Sequence, residues 1–283
     1  MAEYIITKYG INIYKDYLKN ICCPDLVNPA LTIKANSPRE RINVGNAKGL
    51  SRFGSVSSED SLTWSVFRTL EVENQIDIIL KMMGIMDKMK SSIYWLRNSE
   101  NGEINKDLKN ILDEFEPIKY WKQQTEPDYV LIGIHNVIFI ESKLEYPHKR
   151  ILGWSRKTPL TSNHKQYIPY VTKFFNQDFI NDYTNLGQRF FQLMRNVIVG
   201  SLFAESLRKT FHLGVVINEL NQPNDADSHI EKFNEFNKYI FFPKRTHLLT
   251  WQRLLSGIEL IQTNSPNITS LIKYMYQHPC LNH

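Results

Sequence analysis

Two acids and a lysine bracket one apolar run: Pro127-Asp128 opens it and Glu141-Ser142-Lys143 closes it. The β-rich halves, residues 129–134 and 137–144, are separated by His135-Asn136, and their closeness favours a hairpin. A two-residue turn at His135-Asn136 would pair Ile134 with Val137 and set Asp128 opposite Lys143, whereas a four-residue loop would set Asp128 opposite Glu141. Alternation along a strand keeps Asp128, Glu141 and Lys143 on one face in both registers. A three-residue loop would break that, because a one-residue slip moves one strand's side chains to the other face.

Two carboxylates and an ammonium at one hairpin end suit a hard divalent cation with a water beside it. Mg²⁺ takes carboxylate oxygens, waters and phosphate oxygens, and it lowers the pKa of a bound water for attack on phosphorus. The lysine can hold or help deprotonate that water and offset charge in the transition state. The alternative is a structural salt bridge between Lys143 and either acid. A further carboxylate comes from the helix that the N-cap candidate Ser57-Ser58 should open. Helical spacing centres Glu59 on the apolar face of Leu62, Val66 and Leu70, with Asp60 at its edge. Metal ligation explains an acid there, and so does the ordinary preference for acids in a first helical turn.

The elements that must position these groups follow from the periodicity. The first long helix should reach about Glu73, with helical pattern resuming from Ile76 to Met83. A strand is expected from Ser92 to Leu96 and a surface helix from Lys106 to Phe115. After the hairpin, Thr184 to Leu207 reads as one helix and Phe211 to Ile217 as a strand. Helices near 230–239, 250–258 and 267–276, with a strand at 247–249, complete the chain. Residues 1–57, with Pro24, Pro29 and Pro38 and only a short helical pattern from Ile11 to Leu18, read as an N-terminal arm or small subdomain. Residues 58–220 form the expected core, and 221–283 a C-terminal helical extension packed on it. The fold class is α/β, with a mixed central sheet flanked by helices.

Composition narrows the function classes. The 283 residues are 42% hydrophobic and 12% aromatic, with 12 Gly and 12 Pro, which excludes a disordered or collagen-like chain. No run approaches the ~20 apolar residues of a membrane span, and the first residues do not read as a secretory signal. Cys22, Cys23 and Cys280 form neither a zinc spacing nor an even disulfide set, so a reducing, cytoplasmic setting is expected. The net charge of +5 is unevenly placed. Lys143, Lys149, Arg150, Arg156, Lys157, Lys165 and Lys173 face a single acid, Glu145, in one window, a local excess that points to a phosphate-bearing partner. No phosphate-loop, dinucleotide or nucleophile-elbow motif occurs, so no nucleotide cofactor is expected.

Pro127-Asp128, twelve intervening residues and Glu141-Ser142-Lys143 resemble the motif of the PD-(D/E)XK nuclease superfamily, the restriction-endonuclease-like fold. The helix bearing Glu59, the hairpin, the helix from Thr184 and the strand from Phe211 follow that family's αβββαβ order. The segments from Ser58 to Arg68 and from Thr125 to Asp128 also resemble uncharacterised bacterial nuclease-like proteins of this superfamily. The likeness covers about residues 58–220, with weaker support through Thr250-Trp251.

The resemblance implies Mg²⁺-dependent hydrolysis of DNA phosphodiesters, with Mn²⁺ able to substitute, in a restriction or phage-defence role. Asp128 and Glu141 would ligate the metal, the Ser142 carbonyl would add a ligand, Lys143 would position the attacking water, and Glu59 matches the family's helix carboxylate. In some branches the later helix carries Gln-x-x-x-Tyr; Gln188 is kept here and Gln192 stands in place of the tyrosine. Gln188, Gln192 and Arg195 form a polar stripe that either faces the substrate backbone or is simply solvated. Lys149, Arg150, Arg156 and Lys157 would neutralise phosphates, with Trp154 packing on a sugar or base. DNA is the expected partner, and a homodimer is expected if both strands are cut. A DNA-binding regulator on an inactive nuclease fold, and a nuclease for RNA or branched DNA, are the alternatives.

Overall fold

The computed structural model describes residues 3–7, 10–43, 45–117, 126–144, 166–220, 228–261 and 264–281. Its strands are β1 (Tyr4–Ile6), β2 (Asn12–Tyr14), β3 (Met89–Tyr94), β4 (Arg97–Asn98), β5 (Tyr129–Gly133), β6 (Asn136–Ser142), β7 (Thr210–Ile217) and β8 (Thr246–Thr250). The helices are α1 (Pro29–Ala35), α2 (Glu59–Val72), α3 (Asp77–Met82), α4 (Lys106–Phe115), α5 (Ile168–Phe174), α6 (Gln177–Asn181), α7 (Tyr183–Arg189), α8 (Phe191–Ser206), α9 (His229–Asn237), α10 (Trp251–Glu259) and α11 (Pro266–Gln277).

Six strands form one mixed sheet in the order β4-β3-β5-β6-β7-β8. The β3–β5–β6 meander is antiparallel, whereas β7 and β8 continue in parallel from β6. A parallel neighbour requires a crossover, and the helices between β6 and β7 supply it. Sequestration on both faces explains why β6 is an almost unbroken apolar run. Ile138 and Ile140 point into a layer with α2, α3, α10 and α11. Val137 and Phe139 point into the opposite layer with α4, α5, α8 and α9. The result is an α/β architecture with helices on both sides of the sheet.

Helix α2 begins where the capping chemistry requires, with the Ser58 hydroxyl accepting from the Ser61 N–H at 3.2 Å. Its Leu62, Val66 and Leu70 are fully buried, each contributing about 1.5–3 kcal/mol through the hydrophobic effect. On the other face, Gly200 lets α8 lie close to β7, since a Cβ there would stand 2.1 Å from the Phe211 ring.

Several expected elements are placed differently. The expected helical pattern from Ile11 to Leu18 is instead strand β2 paired with β1, followed by a 3₁₀ turn at Tyr17–Asn20 whose cap is Asp16. Strand β3 stops before Trp95 and Leu96, which take left-handed φ values of 48° and 69° to turn the chain into β4. The single helix expected over 184–207 is two helices. Phe190 breaks it with φ −112°, its ring buried against Phe236 and Tyr239. The described part of residues 1–57, expected as an arm or small subdomain, packs on the core, with Leu31, Ala35 and Phe53 fully buried in the same cluster as α2. The chain after 220 is not only a helical extension, since β8 is a strand of the main sheet.

The β5–β6 turn lacks glycine at its tip, and its chemistry comes from elsewhere. Asp87, just before β3, accepts from the backbone N–H groups of Ile134, His135 and Asn136 at 3.0, 3.0 and 2.9 Å, and from the Asn136 amide at 2.8 Å. Glycine at 133 gives that carboxylate room, since a Cβ there would lie 2.3 Å from it. These bonds hold the Asp87 carboxyl below its ordinary range, outweighing its partial desolvation.

At the same end of the sheet His212 and His247 stack across β7 and β8, with Nδ1 and Nε2 3.0 Å apart. Burial first, then His247 and Arg245, push His212 from 6.5 down to about 4. Between those values the unfolded chain binds a proton that the folded chain refuses, so unfolding free energy is expected to fall as pH drops from 6.5 towards 4. Urea midpoints across that window should fall less steeply for His212→Asn than for the wild type; equal slopes would contradict the assignment. No helix among the described residues is long and apolar enough to cross a membrane.

Candidate active site

The hairpin register pairs Tyr129 with Ile140 and Val130 with Phe139, so Asp128 faces Glu141 as the four-residue loop requires. Glu141 and Ser142 end β6, Lys143 follows them, and Glu59 is the first residue of α2. The four sequence-predicted residues, Glu59, Asp128, Glu141 and Lys143, therefore meet at one end of the sheet, on the floor of a cleft of about 1130 Å³.

Lys143 is the hub. Its Nζ donates to Glu141 Oε1 at 2.6 Å, to the Ser142 carbonyl at 2.9 Å and to Glu59 Oε1 at 3.3 Å. The Glu59 Oε2 atom accepts from the Leu144 N–H at 2.8 Å, and Asp128 Oδ2 accepts from the Ser142 N–H at 2.8 Å. Backbone contacts fix the lysine from both sides: its N–H donates to the Val216 carbonyl at 2.7 Å, and its carbonyl accepts from the Trp251 indole at 3.2 Å.

Two adjacent residues of α8, Asn196, which the sequence did not single out, and Arg195, hold Glu141 from behind. Asn196 donates its amide N–H to Glu141 Oε2 at 2.8 Å, and Arg195 donates through Nη2 to Asn196 Oδ1 at 2.8 Å. Spacing carried a signal for Asn196, which lies four residues after Gln192 on α8 and so shares its helix face. Arg195 had been expected to meet nucleic acid; it is 1% exposed and cannot reach a ligand, because its cation is enclosed beside Asn196. Gln192 lines the cleft, whereas Gln188 sits on α7 before the break and does not. Lys149, Arg150, Trp154, Arg156 and Lys157 lie outside the described residues.

Electrostatics separate the acids. Burial favours the neutral forms of Asp128 and Glu59, and the charge of Glu141 adds to it. Against the pull of Lys143, both carboxyls titrate above their usual range, Asp128 well above. Glu141 goes the other way: burial opposes its charge, but Lys143, Arg195 and the Asn196 amide outweigh that and hold it low. Lys143 stays protonated because Glu141, Glu59 and Asp128 together overcome its own burial penalty.

The donors are all oxygen, which in kind suits a hard divalent cation. In arrangement, no three His, Cys, Asp or Glu side chains among the described residues stand as a ready metal-binding group. The Lys143 ammonium joins Glu59 to Glu141 there instead. The oxygen donors suit a hard cation in kind, while Lys143 occupies the place between the acids. Comparison with family models, with curated proteins and with solved structures returns no match to this chain.

Proposed function

We propose that this chain is a metal-dependent nuclease that hydrolyses DNA phosphodiester bonds. The observation that carries the reading is the convergence of Glu59, Asp128, Glu141 and Lys143 on one cleft floor, from a helix and a hairpin far apart in sequence. The run α2, β3, β5, β6, α8, β7 supports it further, because it follows the αβββαβ order of restriction-endonuclease-like folds.

Asp128, Glu141 and the Ser142 carbonyl are the groups that would hold Mg²⁺ or Mn²⁺, with Glu59 beside them. Such an ion supplies an acidified water and charge neutralisation at the phosphate. Glu141, kept ionised by its surroundings, and Asp128, kept on the same face by the hairpin register, bring their carboxyl oxygens together. Lys143, kept protonated by three acids, donates to oxygens in its reach and offsets negative charge developing on the scissile phosphate. Asn196 fixes the orientation of the Glu141 carboxylate through Oε2, while Oε1 faces Lys143.

Supercoiled plasmid incubated with Mg²⁺ should be nicked or linearised by the wild-type protein, and not with EDTA or after Asp128→Ala. Cleavage indifferent to both treatments would overturn the reading. One observation favours a second reading, a DNA-binding regulator on an inactive nuclease fold: the Lys143 ammonium closes on Glu141 and Glu59. Salt-sensitive DNA binding without nicking in Mg²⁺ or Mn²⁺ would select it.

A further inference from the structure

The cleft that ends on Asp128 and Glu141 is also lined by the N-terminal segment, including Lys34, Arg39 and Arg52. A polyanion entering it meets an acidic floor, so cations on the walls decide whether it can stay. Most are already engaged. Lys34 pairs with Glu126 at 2.5 Å and Glu40 at 3.5 Å, Arg39 with Glu126 at 3.5 Å, and Lys143 with Glu141. Arg52 differs. It is exposed, its guanidinium forms no hydrogen bond or ion pair with the described residues, and it affects Glu40 only through space.

Its backbone, in contrast, is firmly held. The neighbouring Phe53 is fully buried, edge-on to Trp95 with ring centroids 5.3 Å apart. The Phe53 carbonyl accepts from Asn20 at 2.9 Å and from the Ser61 hydroxyl at 2.7 Å, and Asn20 also donates to the Ser55 carbonyl at 2.7 Å. Gly54 packs so tightly that a Cβ would stand 2.5 Å from the Tyr14 carbonyl oxygen. A free guanidinium on a rigid base, seven residues before Glu59 and in the same cleft, is pre-organised for a bidentate phosphate contact.

We infer that Arg52 is a phosphate anchor for the nucleic-acid strand, and that the N-terminal segment is the second wall of the substrate site. This rests on the nuclease reading and extends it to a residue outside the metal-and-lysine set. The test is fluorescence anisotropy with a labelled oligodeoxynucleotide, single-stranded and as its duplex, over a salt series with Ca²⁺ in place of Mg²⁺. Arg52→Gln should weaken binding on the order of five- to tenfold and flatten the slope of log affinity against log salt by about 0.7 for a single strand or about 0.9 for duplex. Arg52→Lys should keep the wild-type slope. Wild-type affinity and slope in Arg52→Gln would overturn the inference alone, as would an affinity loss shared by both variants with no change of slope. A wild-type protein that neither binds nor nicks DNA would overturn the inference and the nuclease reading together.

Discussion

Lys143→Met is expected to abolish detectable cleavage and to lower the unfolding free energy by about 3 kcal/mol, because it strands a buried anion. Glu141 is 2% exposed, and its Oε1 loses the only ammonium that it touches among the described residues. Asn196 and the nearby Arg195 charge remain, which puts the cost at the lower end for breaking a buried pair. The double variant Glu141→Gln/Lys143→Met removes both charges, keeps the Asn196 contact and should recover most of the lost stability. It should recover none of the activity, for which the lysine alone is worth on the order of 10²–10³ in rate. Urea unfolding and plasmid nicking on the same samples separate the two effects. A double variant no more stable than Lys143→Met would show that the pair is not the buried, mutually compensating unit described above.

Asp87→Ala should have the second largest effect, although its site lies at the far end of the hairpin from Asp128 and Glu141. The change removes the shared acceptor of four backbone N–H groups, three of them in the turn and one on Lys88, and of one side-chain amide. Bonds to a charged acceptor are worth about 1.5–3 kcal/mol each when buried, and water replaces part of that here, so a net loss of about 2–4 kcal/mol is expected. Activity should fall as well, because the turn sets which residues face each other across β5 and β6. Asp87→Asn keeps the size but not the charge or the full set of acceptors, and should fall between alanine and wild type. Thermal unfolding checks the ranking; an alanine variant melting within a degree of the wild type would refute it.

How much of this was legible in the sequence depended on distance along the chain. The hairpin followed from the local apolar run, and the shared face of Asp128, Glu141 and Lys143 from alternation provided that the loop holds two or four residues. The choice of register did not, because the residue that holds the turn, Asp87, lies outside the hairpin and touches it only after β3 has paired. Glu59 was visible as a carboxylate misplaced on an apolar face. Asn196 carried no role in the sequence and Trp251 only marked the edge of the resemblance, as their contacts with Glu141 and Lys143 are made only in the folded chain. Arg195 misled because a charged residue beside a polar stripe reads as solvated, and only packing shows it enclosed. Residues 1–57 read as an arm for a similar reason: short turns carry no strong period, yet Phe53 and Leu31 complete the core.

The indole bond from Trp251 to the Lys143 carbonyl also bears on when activity can first appear. Glu59, the hairpin, Asn196 and Trp251 are made in that order as a polypeptide is synthesised, and the parallel pairing of β7 and β8 must wait for the whole crossover. A nascent chain that has released α2 and the hairpin still lacks the groups that buttress Lys143 and Glu141. Under the nuclease reading, hydrolytic competence would arrive late in translation, after nearly the whole sheet has assembled. Ribosome-stalled fragments ending before residue 246 should be inert in the plasmid assay even where their early helices have formed.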